Sequence, residues 1–339
     1  MTFDAEIWTR LDSLAKPRRS LGRLEELAVR IASIQRTLSP VVRPRRLLLF
    51  AADHGVVASG VSAWTSEVTA LMVRTIVAGR SASAALAASH CCDLRIVDVG
   101  ISAALTDLSA TNFLQARVAP GTRDLSRVPA MTLEEFEAAW RIGASEARSA
   151  IETGHKVLIA GEMGIGNTTA AACLTSLLAD VSTEQATGRG AGADDATLEV
   201  KRKIVAEATA RARLLQENDV RKAIASIAGF EIVAMAGFFV EGARHRAILL
   251  LDGYVATAAA LIADHLQSGV AAHMISSHLS AEPGHGAALA ALGLNPLLDW
   301  NMRLGEGTGA LVALPLLDSA VSLLRDVATL EELGVGRED

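Results

Sequence analysis

From Arg46 onward, short apolar runs alternate with longer stretches of helical periodicity. Residues 47–51, 94–99, 156–160, 248–251 and 272–275 are essentially continuous apolar runs of strand length, as expected where helices cover both faces of a parallel sheet. Between them, apolar residues at i, i+3 and i+4 predict helices over 66–77, closed by Gly79, and over 196–217, 231–242, 254–266 and 308–324. A capping box, Thr132-x-x-Glu135, opens another helix that Gly154 ends. Strand, glycine-containing turn and helix, repeated, predict an α/β doubly wound architecture with its ligand site at the carboxyl ends of the strands. The first forty residues differ. Ser20 is placed to cap a helix with the apolar face Leu21, Leu24, Leu27, Ala28, Ile31 and Ile34, which Pro40 and Pro44 end, predicting a helical appendage. Residues 98–126 carry no clear pattern, and there is no internal repeat.

Composition narrows the function classes. With 32 Lys+Arg against 38 Asp+Glu, the formal charge of −6 leaves no basic excess for a nucleic-acid backbone. Half of the 339 residues are hydrophobic and 21% charged, which describes a large globular core. A mean hydropathy of +0.32 raises the question of membranes. The longest charge-free run, 163–179, contains Gly164, Gly166, Asn167, Thr168 and Thr169, whereas a spanning helix wants about 20 predominantly apolar residues, so no transmembrane helix is expected. Asp4, Glu6 and Arg10 without an apolar stretch argue against a signal peptide and for the cytoplasm. Cys91, Cys92 and Cys173 fit neither a disulfide framework nor a metal-ligand spacing and read as buried thiols.

Three glycine-rich loops can carry chemistry. In Lys156-Val-Leu-Ile-Ala-Gly-Glu-Met-Gly-Ile-Gly-Asn-Thr-Thr-Ala a buried strand runs through glycines into a helix beginning near Asn167 to Thr169. Glycines admit an anion close to backbone N–H groups and the helix N-terminus favours it, so this is a candidate phosphate cradle; the alternative is a simple tight turn. It is neither a P-loop nor a dinucleotide fingerprint, because the spacing of both is missing. In Thr187-Gly-Arg-Gly-Ala-Gly-Ala-Asp-Asp195, Arg189 and the later Lys201 are candidates for binding phosphate. Asp194-Asp195 resembles the acidic pair of enzymes that use phosphoribosyl pyrophosphate, but lacks the strand before it, and a helix-capping role is the other reading. In Arg303-Leu-Gly-Glu-Gly-Thr-Gly-Ala310, Glu306 stands between glycines ahead of an apolar helix; such a carboxylate can have a raised pKa and act as a base, or merely complement the helix dipole. Asp53-His54-Gly55 and His278-Leu-Ser-Ala-Glu-Pro-Gly-His285 also follow strands, and with His273 their spacings match no metal-ligand signature. Turn and hydrogen-bonding roles suit them better.

Together these loops resemble one family, the nicotinate-nucleotide:dimethylbenzimidazole phosphoribosyltransferases of cobamide lower-ligand assembly. The resemblance rests on Ala52-Asp-His-Gly-Val, Gly161-Glu-Met-Gly-Ile-Gly-Asn-Thr-Thr, Gly188-Arg-Gly-Ala-Gly-Ala-Asp-Asp, Phe230-Glu-Ile-Val-Ala-Met-Ala-Gly, Ser280-Ala-Glu-Pro-Gly-His and Arg303-Leu-Gly-Glu-Gly-Thr-Gly-Ala, collinear over nearly the whole chain. It implies a Rossmann-like, mostly parallel catalytic domain (45–325), a small helical domain from residues 1–44 joined by 326–339, and a homodimer. It also implies transfer of ribose 5-phosphate from nicotinate mononucleotide to 5,6-dimethylbenzimidazole, giving α-ribazole 5′-phosphate and nicotinate with no cofactor and no metal. By the family pattern Glu306 matches the general base and Glu162 a second active-site carboxylate. Gly164, Ile165, Gly166, Asn167, Thr168, Thr169, Arg189, Gly190 and Lys201 match the phosphate and ribose site. Ser62, Leu71, Met163 and Leu304 match the base pocket. Leu71 departs from the pattern, which has a hydrogen-bonding Gln there, and so implies a pocket that selects azoles by shape. A non-catalytic nucleotide-binding or sensory protein on the same fold would keep the phosphate loops yet have no use for a carboxylate at 306. A phosphotransferase is disfavoured by the missing P-loop lysine.

Overall fold

The computed structural model describes residues 2–334. Among them, β1 (Arg45–Ala52), β2 (Cys92–Gly100), β3 (Phe113–Gln115), β4 (Val157–Met163), β5 (Ile248–Leu251) and β6 (Met274–Ser276) form a six-stranded sheet in the order β3-β2-β1-β4-β5-β6, with every pairing parallel. The continuous apolar runs have a direct cause. Side chains alternate across a strand, and both faces are covered: Leu48 and Phe50 of β1 join one hydrophobic cluster, Leu47 and Leu49 the clusters on the opposite face. Each such fully buried side chain contributes about 1.5–3 kcal/mol.

On the first face lie α5 (Leu133–Glu152), α6 (Asn167–Leu178), α7 (Thr183–Ala186), α8 (Asp195–Gln216), α9 (Val220–Ile227), α10 (Phe230–Arg244), α11 (Tyr254–Leu266) and α12 (His285–Ala291). The other face is covered by α1 (Phe3–Ser13), α2 (Arg23–Gln35), α3 (Glu67–Val77), α4 (Ala82–Ser89) and α13 (Thr308–Asp326). Local signals set several of these ends. The Thr132 hydroxyl accepts from Glu135 N at 3.2 Å, and the Glu135 carboxylate accepts from Thr132 N at 2.7 Å, completing the capping box. Asp194 caps α8 by accepting from Thr197 N at 2.8 Å, so the capping reading of that residue holds.

Other expectations need correction. Ser20 does not cap α2; the helix starts after Gly22, which has φ +52° and makes no side-chain cap. Residues 272–273 belong to a 3-10 turn, Val270–His273, and the strand begins at Met274. The helices α4, α7, α9 and α12 and a two-stranded parallel sheet, β7 (His278–Ser280) with β8 (Leu298–Met302), were not foreseen. Alanine-rich Ala82–Ser89 has almost no amphipathic contrast, and the two strands are too short and polar to be read from period alone. The most membrane-like segment is α13 rather than 163–179: it is long and apolar enough to cross a bilayer by length and composition, but 61% of its most apolar window is buried against α1, α2, α4 and the sheet.

Residues 13–15 and 328–330 meet. Leu14 and Thr329 form an antiparallel bridge, flanked by Ala15 N donating to Ala328 O at 2.8 Å and Leu330 N to Ser13 O at 2.9 Å. Of the carboxyl-terminal segment 326–339, residues 335–339 lie outside the described residues.

Candidate active site

A cavity of about 520 Å³ opens at the carboxyl ends of β4 and β5, beside the point where the sheet order reverses between β1 and β4. Its floor is acidic. Glu162 is the penultimate residue of β4, Asp252 follows β5 directly, and Glu306 sits in the turn before α13; all three line the cavity and are nearly buried. Positive φ at Gly305, Glu306 and Gly307 (+88°, +59° and +77°) folds this turn back onto the sheet. A non-glycine residue held there stores strain that the surroundings must over-determine. Two contacts do so. Asp252 accepts from Gly307 N at 3.0 Å, Gly309 N at 2.8 Å and Ala310 N at 3.2 Å, capping α13 from another strand. Gly161 lets the β4 backbone approach so closely that a Cβ there would stand 2.8 Å from Glu306 C and Gly307 N.

The Ser83 hydroxyl of α4 donates to Glu306 Oε2 at 2.8 Å. Burial raises the pKa of Glu306, against the Ser83 hydrogen bond and with the Asp252 charge. Glu162 is raised well above the ordinary carboxylate value, first by burial and then by Asp252, Glu231 and Glu306; the Asn167 amide donating to Glu162 Oε2 acts the other way.

Beside the floor, Gly164 and Gly166 carry the chain into α6. Gly166, at φ +94°, is the N-cap and offers no side-chain acceptor to the first turn; Asn167 N and Thr169 N are taken by Gly164 O and Gly166 O, which leaves the Thr168 N–H available to an anion. Gly164, Ile165, Gly166, Asn167 and Thr168 all line the cavity. Thr169 and Lys201 do not: they are buried behind this wall, Lys201 donating to Thr168 Oγ1 at 2.7 Å and to Gly188 O at 3.0 Å. Burial lowers the Lys201 pKa to about 8, with Glu282 opposing. Beneath the glycines His54 Nε2 donates to Glu231 Oε1 at 2.7 Å, both side chains fully buried. Burial disfavours the imidazolium, but Glu231 and Asp53 outweigh it and raise the His54 pKa. His285 is the opposite case: Nδ1 accepts from Ser280 N at 2.7 Å, and burial pushes its pKa down to about 3, which keeps it neutral. Among the described residues no three His, Cys, Asp or Glu side chains stand where they can hold a metal ion.

The rim is looser. Arg189 and Gly190 line the cavity; the Arg189 guanidinium is tied to Asp195 and to Ala193 O, and Gly190 N donates to Glu282 Oε1 at 2.9 Å. Across the mouth, Trp64 Nε1 donates to Ala191 O at 3.1 Å, and Ser62 Oγ accepts from Trp64 N at 3.1 Å. Met163, Leu71 and Leu304 complete an apolar wall in which Leu71 is 62% and Leu304 58% exposed.

The sequence matches the family model described as "Phosphoribosyltransferase" over residues 1–335. The nicotinate-nucleotide–dimethylbenzimidazole phosphoribosyltransferase of Ralstonia nicotianae is 44% identical over 344 residues, covering 99% of this chain and 96% of its own length. The enzyme of the same name from Thermus thermophilus is 44% identical over 333 residues, covering 98% of each chain. This chain belongs to the nicotinate-nucleotide–dimethylbenzimidazole phosphoribosyltransferase family. The crystal structure of CobT from Thermus thermophilus superposes with a TM-score of 0.95 at 44% identity over 99% of both chains, so the α/β fold is that of the family.

In this phosphoribosyltransferase, sequence reasoning missed Asp252, Ser83 and Glu231 as the partner of His54, while the hydrogen-bonding role expected of the loops at 53–55 and 278–285 is met by His54, Glu282 and His285. Asp252 carried a signal, since it ends an apolar run just as Glu162 does. Ser83 carried none, because only the packing of α4 brings it to a loop 223 positions away.

Proposed function

We propose that this enzyme transfers the ribose 5-phosphate of nicotinate mononucleotide to 5,6-dimethylbenzimidazole, giving α-ribazole 5′-phosphate and nicotinate. The observation that carries the reading is Glu306, a carboxylate 4% exposed on a cavity wall, beside a glycine turn at a helix N-terminus. The ribose of the mononucleotide is bonded to a cationic pyridinium, which leaves as a neutral ring nitrogen without needing an acid. The attacking azole must shed its N–H proton, and Glu306 accepts it, a contribution typically worth about 10²–10⁴-fold. Attack opposite the departing pyridine inverts the anomeric carbon from β to α.

Burial and the neighbouring Asp252, Glu231 and Glu306 carboxylates raise the Glu162 pKa well above normal, which favours hydrogen bonding to the ribose or azole over offsetting positive charge on the ribose. The phosphate meets the N–H groups of Gly166 and Thr168 and the Thr168 hydroxyl, which Lys201 orients and polarises from behind. Ile165 N and Asn167 N, which flank them, donate to Thr69 Oγ1 and Gly164 O. Ser62, Met163, Leu71 and Leu304 hold the azole. We assign the chain ends, 1–44 and 326–339, to a small helical domain and residues 45–325 to the catalytic domain; the pairing of Leu14 with Thr329 supports this division. The same reading includes a homodimer, tested by light scattering.

Incubation with nicotinate mononucleotide and a benzimidazole, without added metal, should release one nicotinate per α-ribosylated base phosphate formed. A non-catalytic nucleotide-binding protein on this fold would release none.

A further inference from the structure

Two arginines, Arg189 and Arg303, stand on the cavity wall among the described residues. They are not equivalent. Arg189 is committed to Asp195 and to Ala193 O, whereas Arg303, exposed at the end of the turn that carries Glu306, makes no ion pair or hydrogen bond. The same wall presents the acidic side chains Glu162, Asp252, Glu282 and Glu306. A second anionic group on a substrate, apart from its phosphate, would be repelled there unless a cation met it. Nicotinate mononucleotide has such a group, the carboxylate on its pyridinium ring.

Resting on the reaction proposed above, we infer that Arg303 is the specificity-determining residue for that carboxylate and distinguishes nicotinate from nicotinamide nucleotides. The guanidinium presents a planar fork of donors that fits a carboxylate in bidentate fashion and gains much less from a neutral carboxamide. The chemistry adds a rate effect. In the bound mononucleotide the ring cation partly offsets the carboxylate. As the C–N bond breaks, the bonding pair passes to the ring nitrogen and the ring becomes neutral, leaving the carboxylate uncompensated. Arg303 therefore binds the departing nicotinate more strongly in the transition state than in the ground state, which raises kcat as well as lowering KM. Its place three residues before Glu306 puts this recognition on the same turn as the proposed base, whereas the proposed phosphate cradle belongs to another segment, residues 164–168.

The test compares wild type, Arg303→Gln and Arg303→Lys with nicotinate mononucleotide and with nicotinamide mononucleotide, each with benzimidazole as acceptor. Wild type should favour the nicotinate nucleotide. Arg303→Gln should reduce that preference in kcat/KM by at least about tenfold, largely through kcat on the nicotinate nucleotide, and Arg303→Lys should restore part of it. Equal losses on both nucleotides would show a cation acting only on the phosphate and overturn the inference, as would an unchanged preference in both variants. Failure of wild type to release nicotinate would instead overturn the reaction itself, so the two readings fail separately.

Discussion

The cavity has a floor and a rim that are built in opposite ways. On the floor, Glu162, Asp252 and Glu306 are 8%, 2% and 4% exposed, and each is held by a hydrogen bond from backbone or side chain. On the rim, Leu71, Leu304 and Trp64 stand largely in solvent, and an exposed indole hydrogen bond to Ala191 crosses the mouth. The floor stores strain and shifted protonation, both of which demand rigid surroundings. The rim offers shape, which tolerates variation. Proton transfer is therefore expected to be intolerant of change and base choice permissive.

The sharpest way to break this contrast is Glu306→Gln, which keeps the shape and removes the proton acceptor. A loss of kcat of about 10²–10⁴-fold is expected with little change in mononucleotide binding. Because the pKa of Glu306 is raised, activity of the native enzyme falls as the pH drops through that value and the base becomes protonated; the variant should lose this acidic limb. Steady-state kinetics across pH check both, and turnover within a few-fold of wild type removes Glu306 from the role.

Gly161→Ala tests rigidity without touching any charge. The added methyl meets the backbone of Glu306 and Gly307, which cannot swing aside as a side chain would. A displacement of that kind can cost roughly 10²-fold in rate, so kcat should fall far more than affinity for either substrate. If the variant folds and turns over normally, the floor is not rigid.

Lys201→Ala probes the layer behind the wall. Losing the cation that Thr168 depends on should raise KM for the mononucleotide by the equivalent of about 1–3 kcal/mol, while the dephosphorylated riboside is affected little. In the wild type the cation is present below about pH 8 and lost above it, so KM for the mononucleotide should climb through that pH. Equal weakening for the riboside contradicts the assignment.

The smallest effect belongs to the rim. In competition at equal concentration, 5,6-dimethylbenzimidazole and benzimidazole should both be used, since a missing methyl changes binding by only about 1–3 kcal/mol. Adenine should be disfavoured for want of a partner to its amine. Leu71→Gln, at an exposed position, should raise adenine use while shifting stability by no more than about 0.5 kcal/mol. Adenine used by the wild type as well as the benzimidazoles would refute selection by shape.

Much of the fold was legible because it is encoded locally. The apolar runs at 47–51, 94–99, 156–160 and 248–251 each lie within an observed strand or reach within one residue of it, and the capping box opens α5 as the residues demand. Weak local signals failed: Ala82–Ser89 lacks contrast between faces, and Phe113–Gln115 is too short to carry a period. The candidate site divides the same way. Glycines between a buried strand and a helix announce Gly164 to Thr168, whereas Thr169 and Lys201, equally suggestive by type, lie behind the wall because helix α6 turns one away and burial encloses the other.

The sequence alone determined the α/β alternation, the glycine turns at the strand ends and the presence of carboxylates there, since periodicity and capping act over a few residues. Which groups meet was decided only by tertiary structure. Setting β5 beside β4 puts Asp252 next to Glu162 and lets it cap α13, and packing α4 against α13 brings Ser83 to Glu306. Those pairings, and the shifted protonation that follows from them, depend on distances through space that no local pattern records.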